Sequence, residues 1–470
     1  MGRLSSVFAT ALSLCVLAQA GSLPARADSG FALTAALSDR IDEMAKAQIH
    51  AGRTPGLAIG ILEDGRIVYA RGYGFSDLGK HVPMSPDTQF YAGGLTREFT
   101  AAAILLLVQD GKLALDDRVS KYVPEFRLGA GITIAQLLAQ TSGLPQSSKL
   151  PDISADRTHP IKLARVLAAL DQMKLAADPG TVYADDPVNY LLAALIVERA
   201  SGVPLSDYLE QHIFIPLVMD NTFLAGDNGI SAQHAIGYTR TSHGFDPAAA
   251  WDPSWLGGDA GLVTTIYDLA KWDIAMPILL RVDAVRTMFA PVANNGPTRY
   301  GMGWVIDRRG GKDFVWSDGD IAGYRATNAL LPQQHVAVIV FSNADSLHGP
   351  TTIPESLAGR ILDLIVPPTT ARLDNATIER AKEWLTLLAS GHVRRDELTP
   401  AFSAYLTDDF IARQNLAGLG PLLSIVPISS TAEADGDTLY EFLVRYRYAQ
   451  YHYDFELTAQ GKIDGIRLTG

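Results

Sequence analysis

A single cysteine, Cys15, serves a chain of 470 residues. One thiol makes no internal disulfide and no cysteine-built metal site. Positive charge is also scarce: 39 Lys and Arg stand against 51 Asp and Glu, a net charge of −12. Without a basic excess to displace counterions, broad binding to a phosphate backbone is excluded, and no nucleic-acid partner is expected. Beyond the N-terminus no apolar run approaches the roughly 18–20 residues of a membrane span, so none is expected. There is no internal repeat and no low-complexity stretch. What the chain does have is apolar material, 47% hydrophobic residues against 19% charged. That is enough to bury a large core, and it argues against disorder.

The cysteine falls inside a segment with the layout of a secretory leader. Arg3 precedes an apolar run from Val7 to Ala20, and small-x-small sites follow at Ala18-Gln19-Ala20 and Ala25-Arg26-Ala27. About 14 apolar residues are too few to span a bilayer. Leu14 occupies a position where a lipoprotein cut before Cys15 needs a small residue. The expectation is a signal peptide over 1–27 and export to the periplasm or the medium. Removing it takes away Arg3 and Arg26 and no acid, which leaves −14.

Periodicity then predicts a helix over 33–52, with Leu37, Ile41, Met44 and Ile49 on one side. A hairpin follows: Gly56–Leu62 is apolar, Glu63-Asp64-Gly65 turns and Arg66–Ala70 returns. Apolar helices are expected over 97–110 and 188–200, and strands over Arg325–Leu331 and Val336–Phe341. Strands at both ends with helices between suggest one sheet joined by the two ends of an α+β domain, over 28–366. Pro367 and Pro368 open a linker, 367–374. Helices over 378–388 and 399–414, followed by alternating runs at Leu439–Tyr448 and Tyr451–Leu457, predict a small α+β accessory domain over 375–470.

Several segments carry a family resemblance. They include Pro55-Gly56-Leu57-Ala58, Pro86-Asp87-Thr88-Gln89-Phe90, Phe99-Thr100-Ala101-Ala102, Asp110-Gly111-Lys112-Leu113 and Thr141-Ser142-Gly143-Leu144. Pro216-Leu217-Val218-Met219, Gly258-Asp259-Ala260-Gly261-Leu262, Tyr300-Gly301-Met302-Gly303-Trp304 and Ser342-Asn343 continue the series in order, from about 40 to 345. Together they resemble the serine β-lactamase and penicillin-binding-protein-like superfamily, in its class C, esterase and D-aminopeptidase branch. The resemblance implies a β-lactamase/transpeptidase-like fold, an antiparallel sheet flanked by helices with a helical subdomain beside a cleft. The helices-then-sheet order of the last 95 residues is similar to nuclear-transport-factor-2-like domains.

The superfamily's chemistry is nucleophilic. A serine in Ser-x-x-Lys attacks a carbonyl, lysine and a Tyr-x-Asn tyrosine manage its proton, and backbone N–H groups hold the oxyanion. Anchored on Phe99-Thr100, the serine position is Gly94 and the lysine position Arg97. The Tyr-x-Asn slot holds Asp185-Asp186-Pro187, with Tyr183 two residues earlier. The late Lys/His-x-Gly strand reads Ser317-Asp318-Gly319. Glycine attacks nothing, and an arginine with a pKa above about 12 is no base. The family reaction is therefore expected to be absent, and no catalytic residue is assigned.

Arg97 and Asp185 are expected to form a charge-assisted pair. Such a pair either neutralises a retired cavity or forms a repurposed site, in which an Asp acts as acid or base and Arg97 binds an anion. The candidate binding cleft comprises Arg97, Asp185, Asp186, Ser317 and Gly319. Asp185, Asp186, Asp259, Asp318 and Asp320 carry no metal-loop spacing, so no metal and no cofactor is expected. Thr96 and Ser317 lack a base for nucleophilic work, and His159, His234 and His243 read as loop or surface residues. Tyr440, Phe442, Val444, Tyr446 and Tyr448 alternate onto one face of a strand, a packing pattern. The expected function is a non-catalytic binding protein for a small molecule, a peptide or a protein partner. A repurposed enzyme is the alternative, and an ordinary serine hydrolase the third.

Overall fold

The computed structural model of the chain describes residues 33–150, 157–225, 233–292, 299–345, 352–368, 370–414, 416–432, 436–446 and 450–469. The expected leader with Cys15, and Tyr448, lie outside these residues. The first helix, α1 (Ala35–His50), is capped by Thr34, whose hydroxyl accepts from the Leu37 N–H. Then β1 (Gly56–Glu63) and β2 (Arg66–Asp77) form the expected hairpin. Its turn places Asp64 and Gly65 at φ 48° and 72°, the left-handed pair that a two-residue hairpin with right-handed twist requires.

The main sheet is completed by β3 (Val82–Pro83), β4 (Arg299–Tyr300), β5 (Val305–Arg309), β6 (Lys312–Ile321), β7 (Tyr324–Leu331) and β8 (Val336–Ser342). Its order is β3-β2-β1-β8-β7-β6-β5-β4, every pairing antiparallel. The join between the two ends of the chain is β1 against β8, with Leu57 opposite Ser342. Both strands are buried along their whole length, which explains their nearly unbroken apolar runs.

Helix α2 (Thr96–Gln109) runs through the core and is buried nearly all round, so its sequence is apolar on every side. Beside it lies α3 (Pro187–Ser201), and Trp272 of α4 (Ile266–Leu279) packs on its Phe99 with ring centroids 4.5 Å apart. Gly202 ends α3 at φ 83°, the left-handed C-cap. α5 (Ile353–Ile365) packs on β7 and β8. Among the described residues no single helix is long and apolar enough to cross a membrane.

After residue 367 come α6 (Asn375–Ala389), α7 (Pro400–Tyr405) and α8 (Asp408–Gln414). The single helix expected over 399–414 is thus two, because the helical run breaks at Leu406-Thr407 and Thr407 supplies its hydroxyl to the Phe410 N–H. Four strands follow as a meander: β9 (Leu422–Ala432), β10 (Thr438–Tyr446), β11 (Gln450–Leu457) and β12 (Ile463–Thr469). Strand β9 went unread in the sequence. It is an edge strand with a bulge at Pro427 and little alternation. Phe442, Val444 and Tyr446 bury one face of β10 against Trp384, Leu385 and Phe402.

The other face of this small sheet sits on the main domain through buried charge. Asp363 on α5 receives Arg309 at 3.1 and 3.0 Å and His452 Nε2 at 3.0 Å. Arg467 bridges Asp454, at 2.9 Å, and Asp307 of β5. Both halves belong to one compact unit from Leu33 to Gly470. Burial disfavours the Asp363 carboxylate, but Arg309, His452 and their hydrogen bonds outweigh it and hold its pKa at about 2. A depressed carboxylate contributes stability above its unfolded pKa, near 4, and loses it as the pH falls toward 2. Asp363→Asn is expected to cost about 2 kcal/mol at pH 7, with the gap to wild type closing between pH 4 and 2. Urea midpoints across that range measure it, and a gap independent of pH would refute the assignment.

Candidate functional site

The cleft lies where α2 begins. A 3-10 turn, Gly93–Leu95, leads into α2, and β6 crosses it backbone to backbone. A Cβ on Gly94 would lie 2.5 Å from the Asp318 carbonyl oxygen, and one on Gly319 would lie 1.9 Å from the Ala92 carbonyl oxygen. No side chain tolerates either distance. Gly93, at φ 54°, completes the seat, since a Cβ there would be 2.8 Å from the Asp320 nitrogen. The point from which a side chain at 94 would start is filled by the strand.

Arg97 stands three residues further on, in the first turn of α2. Its Nε donates to Asp259 Oδ1 at 2.8 Å and its Nη1 to Asp185 Oδ1 at 2.8 Å. The guanidinium also lies over the Tyr190 ring, 5.6 Å from its centroid. Asp185 is steadied by Gln140, whose Nε2 donates to the same oxygen at 2.8 Å. Burial opposes the Arg97 charge, yet Asp259 and then Asp185 outweigh it and keep the group protonated. Desolvation raises Asp259 against the pull of Arg97. The expected pair is therefore present, but as one arginine between two carboxylates. Two of its five N–H donors, one on Nε and one on Nη1, go to aspartates, so the positive charge that the suggested anion site needs is already balanced by two carboxylates.

The order of this sheet and the helix under it agree with the fold that the sequence segments implied, and comparison with known proteins decides the family. The family model described as Beta-lactamase matches residues 41–357. The chain belongs to that family.

Within the beta-lactamase family the chain is 29% identical, over 339 residues, to Protein flp of Staphylococcus aureus (strain MW2). That alignment covers 68% of this chain and 66% of the relative. It is 27% identical over 349 residues to the unguisins hydrolase ungD' of Aspergillus campestris (strain IBT 28561), covering 68% and 63%. The chain thus spans just under two thirds of these curated relatives. Among solved structures, the octameric penicillin-binding protein homologue from Pyrococcus abyssi aligns with TM-score 0.63 and 20% identity, over 92% of this chain and 100% of that one. The D-amino acid amidase from Ochrobactrum anthropi SV3, complexed with D-phenylalanine, aligns with TM-score 0.60 and 22% identity, over 70% and 99%. At these identities the likeness establishes the fold, the β-lactamase/transpeptidase-like architecture.

Other candidate residues take different places from those expected in a family cleft. Asp186 is the N-cap of α3 and is buried. Its carboxylate accepts from the Val188 N–H at 3.0 Å and from the Ser147 N–H and hydroxyl at 2.7 and 3.0 Å. Pro187 is the first residue of that helix, where a missing N–H is harmless. Ser317 does not face the cleft either: it is buried beside the Glu98 carboxyl, and alternation on β6 exposes Asp318 instead. Thr96 is fully buried, donating to Gly93 O at 2.6 Å and accepting the Leu262 N–H at 2.9 Å. His234, expected in a loop or at the surface, is buried with Nε2 3.0 Å from the Tyr324 hydroxyl, and desolvation lowers its pKa to about 4. His159 and His243 are exposed. Among the described residues no three His, Cys, Asp or Glu side chains are grouped as metal ligands, and Asp320 pairs with Arg325.

Sequence reasoning missed Gln140, Tyr190 and Tyr300 as the surroundings of Arg97, and it considered Asp259 only among five aspartates that lack metal-loop spacing. The signals were Gln140 in the phrase before Thr141-Ser142-Gly143, and Asp259 and Tyr300 inside segments already matched to the family. It also missed a buried carboxyl pair behind the cleft. Glu98 accepts from Trp272 Nε1 at 2.9 Å, and Asp273 accepts from Asn328 Nδ2 at 2.8 Å. Burial pushes Glu98 far up and Asp273 to about 7. Tyr183 packs on Tyr300, with centroids 5.4 Å apart, and joins Asp318 at the rim of a cavity of about 330 Å³ that reaches the C-terminal helices.

Proposed function

We propose that this member of the beta-lactamase family is a non-catalytic, exported binding protein that takes a small molecule or a peptide beside the former substrate cleft. The observation that carries the reading is the glycine seat. Residue 94, where the resemblance puts the nucleophile, has no side chain, and the Asp318 carbonyl occupies the place where one would begin. Arg97, where the resemblance puts the lysine, is always charged and is held by two carboxylates. The hydrolytic reading suggested by the ungD' relative needs a nucleophile with a base in reach. Thr96 and Ser317 are buried away from the cleft, Thr96 with its hydroxyl bonded to Gly93 O and the Leu262 N–H, and Ser317 beside the Glu98 carboxyl, whose pKa burial raises. Export rests on the layout of the first 27 residues.

The test is intact-protein mass after incubation with a fluorophosphonate and with a penicillin, alongside turnover of a chromogenic cephalosporin and p-nitrophenyl esters. The expected result is no adduct and no turnover above a heat-killed control. An adduct on any residue would overturn the reading.

A further inference from the structure

The cavity between the cleft and the C-terminal segment has two unlike ends. Its apolar wall comes from α6, α8 and β12, through Leu388, Phe410, Ile411, Ile466 and Leu468. Its polar end comes from the main domain, through Asp318 on β6 and Tyr183. At about 330 Å³ it lies at the small end of the range for small-molecule pockets, roughly 300–1,000 Å³.

The charges decide which head group fits. The lining cation, Arg467, already bridges Asp454 and Asp307. Arg97, outside the lining, is paired with Asp185 and Asp259. A carboxylate or phosphate head would therefore meet Asp318 and cations whose charge aspartates already balance. Asp318 projects from the strand at the cavity's polar end, and among the described residues it makes no side-chain ion pair. Its carboxylate is exposed at that end of the cavity, so an arriving cation meets it directly. The excess of acid in the chain favours the approach of a positive ligand.

We propose that this cavity binds an amphiphilic primary ammonium compound, its alkyl or aryl-alkyl body between Phe410, Ile411 and Leu468 and its ammonium on Asp318. The proposal rests on the non-catalytic binding reading and names the ligand class for it. It also gives the C-terminal segment a part in the site, since most of the apolar wall is contributed after residue 367.

The test titrates the full chain with decylammonium, decanol and decanoate, each below its self-association concentration. Calorimetry and tryptophan fluorescence, to which the lining Trp316 contributes, report binding. Decylammonium is expected to bind saturably at one site, and decanoate at least tenfold more weakly. Asp318→Asn is expected to weaken decylammonium tenfold or more and to leave decanol unchanged, while Leu468→Trp weakens both by filling the cavity. Circular dichroism of each variant shows that it is folded. Equal affinity for all three head groups, no saturable binding, or an unchanged Asp318→Asn would overturn the proposal. An adduct with fluorophosphonate would overturn the non-catalytic reading alone, whereas absence of amine binding without an adduct would overturn this inference alone.

Discussion

Arg97→Ala is expected to lower the stability of the folded chain by about 3–5 kcal/mol, read as a fall in the urea midpoint at pH 7 with an unchanged slope. The Arg97 side chain is 15% exposed and its partner Asp259 only 8%. Removing the guanidinium leaves a buried carboxylate that desolvation already disfavours and that has lost its counter-charge. Asp185 is 52% exposed, so water screens its share, and Asp185→Asn is expected to cost about 0–1 kcal/mol. Arg97→Lys should recover little of the loss, because one ammonium on a flexible stem does not reproduce a fork that reaches two carboxylates at 2.8 Å. A loss below about 1 kcal/mol for Arg97→Ala would show that the bridge to Asp259 contributes little in solution.

The second large effect concerns the seat of β6. Gly319→Ala places a methyl 1.9 Å from a carbonyl oxygen and 3.2 Å from the Ala326 methyl. The strand cannot slide away alone, since Gly319 is held opposite Ala326 of β7 and the strand is paired with β5 up to Trp316. The expected cost is about 3 kcal/mol. Gly94→Ser meets a carbonyl at 2.5 Å and is expected to cost about 1–3 kcal/mol, and to form no acyl adduct in spite of the new hydroxyl. Gly131→Ala, with nothing within 4 Å, is the control and should change stability by less than about 0.5 kcal/mol. A Gly94→Ser variant that folds as tightly as wild type and reacts with penicillin would show that the cleft opens far enough to admit a side chain.

The opening hairpin was legible because Glu63-Asp64-Gly65 carries the residues that its turn needs. Helix α2 was legible as apolar, and the strand pair around Pro332 by its apolar runs and a breaker. The contact of Arg97 with a carboxylate was also legible, through the order of the matched segments. Its second partner was not. Asp259 lies 162 positions away in a single helical turn, Gly257–Ala260, whose sequence records no contact.

Sequence by itself determined the family, the sheet joined by both ends of the chain, the acidic balance, and the glycine and arginine at positions 94 and 97. These follow from local chemistry: turn residues, hydrophobic period, and side chains that can or cannot attack. Tertiary structure alone decided the rest. It turned Ser317 into the core and Asp318 outward, gave Asp186 to a helix cap, and laid β6 onto Gly93 and Gly94. It also formed a cavity between the main sheet and α6, α8 and β12. Distance between backbones, strand phase and the direction of a carboxylate arise from packing between segments far apart in sequence, and no local pattern encodes them.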